Sequence, residues 1–250
     1  MFDPPARAAG ETLANARRTS IARVGSNAEA DASADASIRA RSVAKYRKRA
    51  AGYDDTTGPT WTIRERTVAA LALQPGEAVL DVACGTGLSL ALLHARVGMT
   101  GRVFGFDHSG DMLVRARQRA TRAGWHNVTL LECAAQALEL PRPVDALFLH
   151  YTHDILRSPS AVARLLACAR PGARVAIAGI KYFPRWLEPL NLYVYLKNVG
   201  YNGAPGGLRA PWSLIAPQLD DWSITPTQFG MGYIGIGRVR ADRSRAGPPR

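Results

Sequence analysis

The chain has 250 residues, 47% of them hydrophobic and 21% charged. That apolar content sustains one ordinary core and excludes a wholly disordered protein, and the charge-free run at 189–196 falls well short of the ~20 residues a membrane-spanning helix needs. The net charge of +12 sits mostly at the ends: residues 1–50 hold ten Lys/Arg against five acids and 238–250 five against one, leaving 17 against 14 between them, which argues against a nucleic-acid-binding body.

Residues 1–41 are small and polar without lasting apolar periodicity and read as a mobile extension. A basic, helix-compatible stretch from Ser42 to Ala51 carries Tyr46, with Tyr53-Asp54-Asp55 after it. Thr62 is the expected N-cap of a helix reaching Leu73, and Glu65 completes a capping box. Strand and helix then alternate. Strands are expected at Ala78–Ala83, Arg102–Phe106, Val128–Glu132, Val144–His150 and Arg174–Ile180, and helices at Leu88–Val97, Asp111–Ala123 and Pro159–Ala169. Repeated β-α units of this length imply a parallel sheet with helices on both faces. Trp222–Phe229 and Tyr233–Val239, joined by Gly230-Met231-Gly232, read as a closing antiparallel pair. Residues 182–217 break the alternation with aromatics among prolines and glycines, either a cap over a ligand or a helix packed on the sheet. Beyond residue 240 lies a basic tail. Cys84, Cys133 and Cys168 show no paired spacing, and the N-terminus lacks the apolar core of a secretory signal, so a cytoplasmic location is expected.

The chemistry concentrates after the first strand. Asp81 lies within it, and Cys84-Gly85-Thr86-Gly87 forms a glycine turn that lets a ligand approach the backbone at a helix N-terminus. The dinucleotide fingerprint is broken, because position 90 is Leu, and no phosphate-loop lysine follows. Asp107 ends the second strand, where an acid accepts hydrogen bonds from ribose hydroxyls. It also stands where it caps the next helix, which Ser109 and Asp111 open.

With these motifs the chain resembles the class I S-adenosylmethionine-dependent methyltransferases over about residues 42–240. Asp81-Val82-Ala83-Cys84-Gly85-Thr86-Gly87 is similar to the family's first motif, and Phe106-Asp107 with Ser109 and Met112 to its second. Glu132-Cys133-Ala134 is similar to the adenine-contacting turn, and Arg170-Pro171-Gly172 to the turn before strand five. Tyr46 and Tyr53-Asp54, followed by Trp61, resemble the opening of the quinone-biosynthetic and phospholipid N-methyltransferase-like members. The resemblance implies a Rossmann-like, doubly wound α/β fold whose seven-stranded, mostly parallel sheet ends in an antiparallel strand. It also implies an S-adenosyl-L-methionine site drawn from Tyr46, Tyr53, Asp81, Ala83, Cys84, Gly85, Gly87, Asp107, His108, Met112, Cys133, Ala134 and His150. Two positions depart from the pattern: Ala83 stands where many members have their first glycine, and Cys133 where an acid commonly meets the adenine amino group.

His150-Tyr151-Thr152-His153-Asp154 follows the fourth strand, at the carboxyl edge where ligands of open α/β sheets lie. His150 or His153 is the candidate base for a proton-bearing nucleophile, with Asp154 orienting an imidazole. A metal pair made by the two histidines lacks further ligands, so none is expected. The expected acceptor is a small apolar or aromatic molecule. The alternatives are a peripheral membrane enzyme acting on lipid headgroups, resting on Trp186, Trp212 and the basic termini, and an RNA-binding protein or RNA methyltransferase using those termini.

Overall fold

The computed structural model describes residues 60–198 and 205–241. The expectations placed on residues 1–41, on the Ser42–Ala51 helix, on Tyr46 and Tyr53, and on the tail beyond 241 lie outside them. Strands β1 (Ala78–Val82), β2 (Arg102–Asp107), β3 (Val128–Glu132), β4 (Val144–His150), β5 (Ala169–Ile180), β6 (Leu219–Thr227) and β7 (Gly232–Val239) form one sheet in the order β3-β2-β1-β4-β5-β7-β6. The first five pair in parallel, and β7 runs antiparallel to both β5 and β6.

Every residue of β1 is buried, as parallel strands covered by crossover helices on both faces require. Helices α1 (Trp61–Ala70), α2 (Leu90–Val97) and α3 (Gly110–Arg122) cover one face, packing Val68, Leu93, Val97 and Ala116 on Val79, Val103 and Phe148. Helices α4 (His153–Leu156) and α5 (Pro159–Ala167) cover the other, packing Leu156, Val162 and Leu165 on Leu80, Leu147, Leu149 and Ile177. At the amino edge of the sheet Asp145 accepts from the Ala78 amide (2.6 Å) and pairs with Arg170 (2.6 Å). Glu77 pairs with Arg174 beside it. These contacts tie the amino edge together by charge.

Two local expectations are corrected. The N-cap of α1 is Thr60 and makes no side-chain cap bond; Thr62 lies inside the helix, and Glu65 accepts from the Trp61 indole (2.8 Å) instead of closing a capping box. Burial of Ile63, Arg64, Thr67 and Val68 against the sheet sets this helix. Strand β5 begins at Ala169, not Arg174. Val144 pairs with Ala169 and Ala146 with Arg174, so Arg170-Pro171-Gly172-Ala173 bulges out between two paired stretches. Pro171 has no N–H for the ladder and Gly172 takes φ 76°, which together make the bulge.

Candidate active site

The carboxyl ends of β1, β2 and β4 bring the site together. Asp81 is buried on the α1 face of β1, and burial pushes its carboxyl up to about 7, with Asp107 adding to the rise and Arg64 opposing it. Its Oδ2 has no hydrogen-bond partner. Arg64 reaches in from α1 and hydrogen-bonds the Ser89 hydroxyl at the head of α2. Sequence reading passed over Arg64. Its signal is a charge inside the buried stripe Ile63, Arg64, Thr67, Val68, facing a strand that carries a buried acid.

The Asp81 shift has a definite sign. A carboxyl raised from ~3.9 to about 7 contributes stability fully below ~3.9 and loses it as pH rises through 7. Asp81→Asn is therefore expected to match the wild type near pH 4 and exceed its stability by up to about 4 kcal/mol at pH 8. Urea unfolding across that range checks it, and a variant equal or less stable at pH 8 refutes the buried-acid cost.

The turn after β1 holds three left-handed residues in close succession: Ala83 (φ 50°), Gly85 (φ 56°) and Gly87 (φ 80°). Ala83 adopts there a conformation that glycine takes without strain. Gly87 is required twice over, because a Cβ would also sit 2.7 Å from Leu90 Cδ1 and 3.0 Å from Ala116 Cβ. At Gly85 a Cβ would meet nothing within 4 Å, so the turn is open on that side. Gly87→Ala is expected to lower unfolding free energy by about 2–5 kcal/mol, strain plus overpacking, and Gly85→Ala by only the ~1–2 kcal/mol of strain. Equal melting temperatures for the two variants would contradict this.

Asp107 ties the two turns together. Its Oδ2 accepts from the Gly85 amide and its Oδ1 from the Ser109 amide, both at 2.9 Å. Ser109 is the N-cap of α3 by position, yet its hydroxyl makes no cap bond, and its own amide donates to Asp107. Burial raises the Asp107 carboxyl, against the pull of His108 and the three amides of Ser109, Gly85 and His108. His108 Nδ1 lies 3.7 Å from Asp107 Oδ1. Met112 is buried in the first turn of α3. Cys84 is buried against Gly105, and burial pushes its thiol well above the usual range, so it is a packing group and not a nucleophile. The Cys133 amide donates to the Asp107 carbonyl (3.2 Å), which sets Cys133-Ala134 beside Asp107.

The two histidines lie on opposite faces of the sheet. His150 stacks on Phe148 on the α1 side, 5.9 Å between centroids, and burial with the nearby Arg64 holds its imidazole well below the usual range. Its Nε2 has no partner. His153 packs on Gly179, where a Cβ would meet its Nε2 at 2.7 Å, and that nitrogen stands 3.1 Å from both the amide and the carbonyl of Ile180. Tyr151 (φ 60°) turns the chain between them, its ring 4.8 Å from His150 and 6.1 Å from His153. The same Tyr151 packs, with Tyr182, Phe183 and Met231, on a buried cluster of Ile180, Val194 and Leu208. In the described part of segment 182–217, helix α6 (Glu188–Asn198) buries Asn191 and Val194, the latter on this cluster, and leaves Leu190, Leu192, Tyr193 and Leu196 exposed.

These residues fit a ligand with polar and cationic groups. The space on the Cα side of Gly85 is open, Asp107 keeps acceptor capacity, and the orphaned Asp81 Oδ2, His108 Nε2 and His150 Nε2 are buried atoms that otherwise lack partners. Residues 79–172 match the methyltransferase domain family. The chain is 30% identical over 187 residues to the demethylmenaquinone methyltransferase of Symbiobacterium thermophilum, covering 70% of this chain and 73% of that protein. This chain belongs to the class I S-adenosylmethionine-dependent methyltransferases. Membership makes it an enzyme with S-adenosylmethionine as cofactor. It is also 28% identical to the 2-phytyl-1,4-naphtoquinone methyltransferase of Trichormus variabilis, over 66% of this chain and 74% of that one. A demethylmenaquinone methyltransferase of Listeria monocytogenes is 30% identical over 52% of this chain, which spans only 56% of that protein's length. A methyltransferase structure from Aquifex aeolicus, at 20% identity and TM-score 0.54, covers 76% of this chain and 98% of its own, which bears out the Rossmann-like fold.

Proposed function

We propose that this methyltransferase acts on a small, apolar, quinone-type acceptor. The observation that carries the reading is Tyr151, which joins the buried histidine of the cofactor side to the aromatic cluster of Tyr182, Phe183 and Met231. An acceptor nucleophile beside His150 would place its ring against that cluster. The quinone acceptors named for the relatives support the same class.

The bound cofactor supplies an electrophilic sulfonium methyl group. The chain's residues do the rest. Asp107 would hold ribose hydroxyls while the Gly85 and Ser109 amides keep its carboxylate fixed. Gly85 would let the backbone approach the cofactor, Asp81 and Arg64 would set the charge beside it, and Cys133-Ala134 would flank its purine. His108 and Met112 close the Asp107 side, and Tyr46 and Tyr53 are assigned to the amino-terminal side. His150, uncharged at neutral pH because burial lowers it, would take the nucleophile's proton on Nε2. His153 bridges the end of β5 and is assigned to positioning Tyr151, although the sequence admitted either histidine as base. The proposal includes a cytoplasmic setting, supported by three unpaired cysteines. Among the described residues no helix is long and apolar enough to cross a membrane.

Incubation with labelled S-adenosylmethionine and a panel of naphthoquinols, benzoquinols and simple phenols tests the acceptor class. Label transfer to a quinol is the expected result. Transfer to none of them, by a chain that binds the cofactor, would overturn the reading.

A further inference from the structure

Helix α6 is apolar on the wrong side. Asn191 and Val194 face inward. Yet the opposite side presents Leu190, Leu192 (62% exposed), Tyr193 and Leu196 (61%), and Trp186, just before the helix, is 78% exposed. Leucines and aromatics on the outer side of a helix belong against a core or in lipid, and among the described residues no other element buries these. A second, separate feature lies at the same end of the sheet. The turn between β6 and β7 holds two consecutive non-glycine residues in the left-handed region, Gln228 (φ 48°) and Phe229 (φ 57°), and so projects the Phe229 ring fully into solvent. Strained backbone of this kind clusters at functional sites. The two features adjoin: a Cβ on Gly230 would lie 3.4 Å from Phe183, and the Lys181 amide donates to the Met231 carbonyl (2.7 Å).

Charge identifies the occupant. Residues 182–219 contain a single acid, Glu188, against Arg185, Lys197 and Arg209. Glu188 is already paired with Arg209 at 2.8 Å. Trp and Tyr among leucines, in a segment with three bases to one acid, match the interface of an anionic bilayer. The patch also stands at the carboxyl edge, where β5 ends at Ile180 and β7 begins at Gly232. Its position is therefore the mouth of the acceptor side.

We propose that α6, Trp186 and the Phe229 turn form a docking surface for an anionic lipid bilayer, from which the acceptor enters. This deepens the reading of an apolar quinone acceptor and rests on it. The test is co-sedimentation of the full chain with vesicles of phosphatidylcholine and phosphatidylglycerol, and with phosphatidylcholine alone. The wild type is expected to partition preferentially to the anionic vesicles. The pairs Trp186→Ser with Phe229→Ser, and Leu192→Glu with Leu196→Glu, should each weaken partitioning by about tenfold or more, given the apolar area withdrawn from lipid. Calorimetric affinity for S-adenosylhomocysteine should stay unchanged in both, which shows that they are folded.

Failure of the wild type to pellet, or wild-type partitioning by both folded variants, overturns docking through this surface; the latter would assign vesicle binding to the basic termini. Light scattering that shows a dimer dissolved by the same substitutions, without vesicle binding, assigns the face to a second copy and likewise overturns it. Methyl transfer to a water-soluble naphthoquinol in free solution is read separately. Its absence in a wild type that still docks rejects the acceptor class, while its presence without vesicle binding rejects the docking alone.

Discussion

Replacing His150 by Ala is expected to lower turnover by about 10²–10⁴-fold, the usual contribution of a positioned general base, while affinity for S-adenosylhomocysteine changes little. The imidazole is set for this role by its surroundings. Phe148 holds the ring in place, Tyr151 leans on it, and its Nε2 has no protein partner to compete for the incoming proton. Burial and Arg64 lower its affinity for protons, so the acid limb of the pH–rate profile should fall below the ~6.5 of a free histidine. Activity is then retained as the pH drops through ~6.5 and lost only beneath it. His153→Ala should act differently. It removes a bridge to both backbone groups of Ile180 and opens space over Gly179, so a loss of about 2–4 kcal/mol in unfolding free energy is expected. Its effect on turnover should follow from a displaced Tyr151, and the position of the pH limb should not move. Full turnover with an unchanged profile in His150→Ala would end the general-base assignment and leave the methyltransferase assignment standing.

Asp107→Ala is expected to weaken S-adenosylhomocysteine binding by about 1.5–3 kcal/mol, the cost of losing hydrogen bonds to a charged acceptor. That is roughly a tenfold to 150-fold rise in Kd. A second loss accompanies the first. The Gly85 and Ser109 amides both end on this carboxylate, so the variant leaves two N–H groups without acceptors and frees the glycine turn from the head of α3. Unfolding free energy should therefore fall as well, by about 1–3 kcal/mol for each amide that water cannot reach. Asp107→Asn separates the effects only in part, because one side-chain position then offers N–H where an amide already points. It should sit between wild type and Asp107→Ala in both measurements. Calorimetry that shows unchanged affinity in Asp107→Ala removes the role assigned to this residue.

Much of the architecture was legible because parallel strands buried on both faces leave continuous apolar runs. Val128–Glu132 and Val144–His150 emerge with the bounds expected of them, and the Asp81, Gly85, Gly87 and Asp107 pattern names a cofactor edge before any coordinates. Local grammar served less well where packing overrode it. Thr62 carries a capping-box pattern, but burial of Ile63 and Arg64 against the sheet started the helix earlier. The Pro171-Gly172 pair reads as the end of a turn, yet the ladder resumes on both sides of it, since hydrogen bonding to β4 outweighs one bulge.

What the sequence determined by itself is the order of elements and the identity of the cofactor turn, because both depend on residues near one another along the chain: an apolar period, a glycine that tolerates positive φ, an acid at a strand end. What only the tertiary structure decided is which side chains share a space. It placed Arg64 beneath Asp81, set His150 and His153 on opposite faces although two residues separate them, and left the outer side of α6 bare. Burial and charge at each of those positions come from strands and helices distant in sequence, and the sign of a pKa shift or the exposure of a leucine follows from that surrounding.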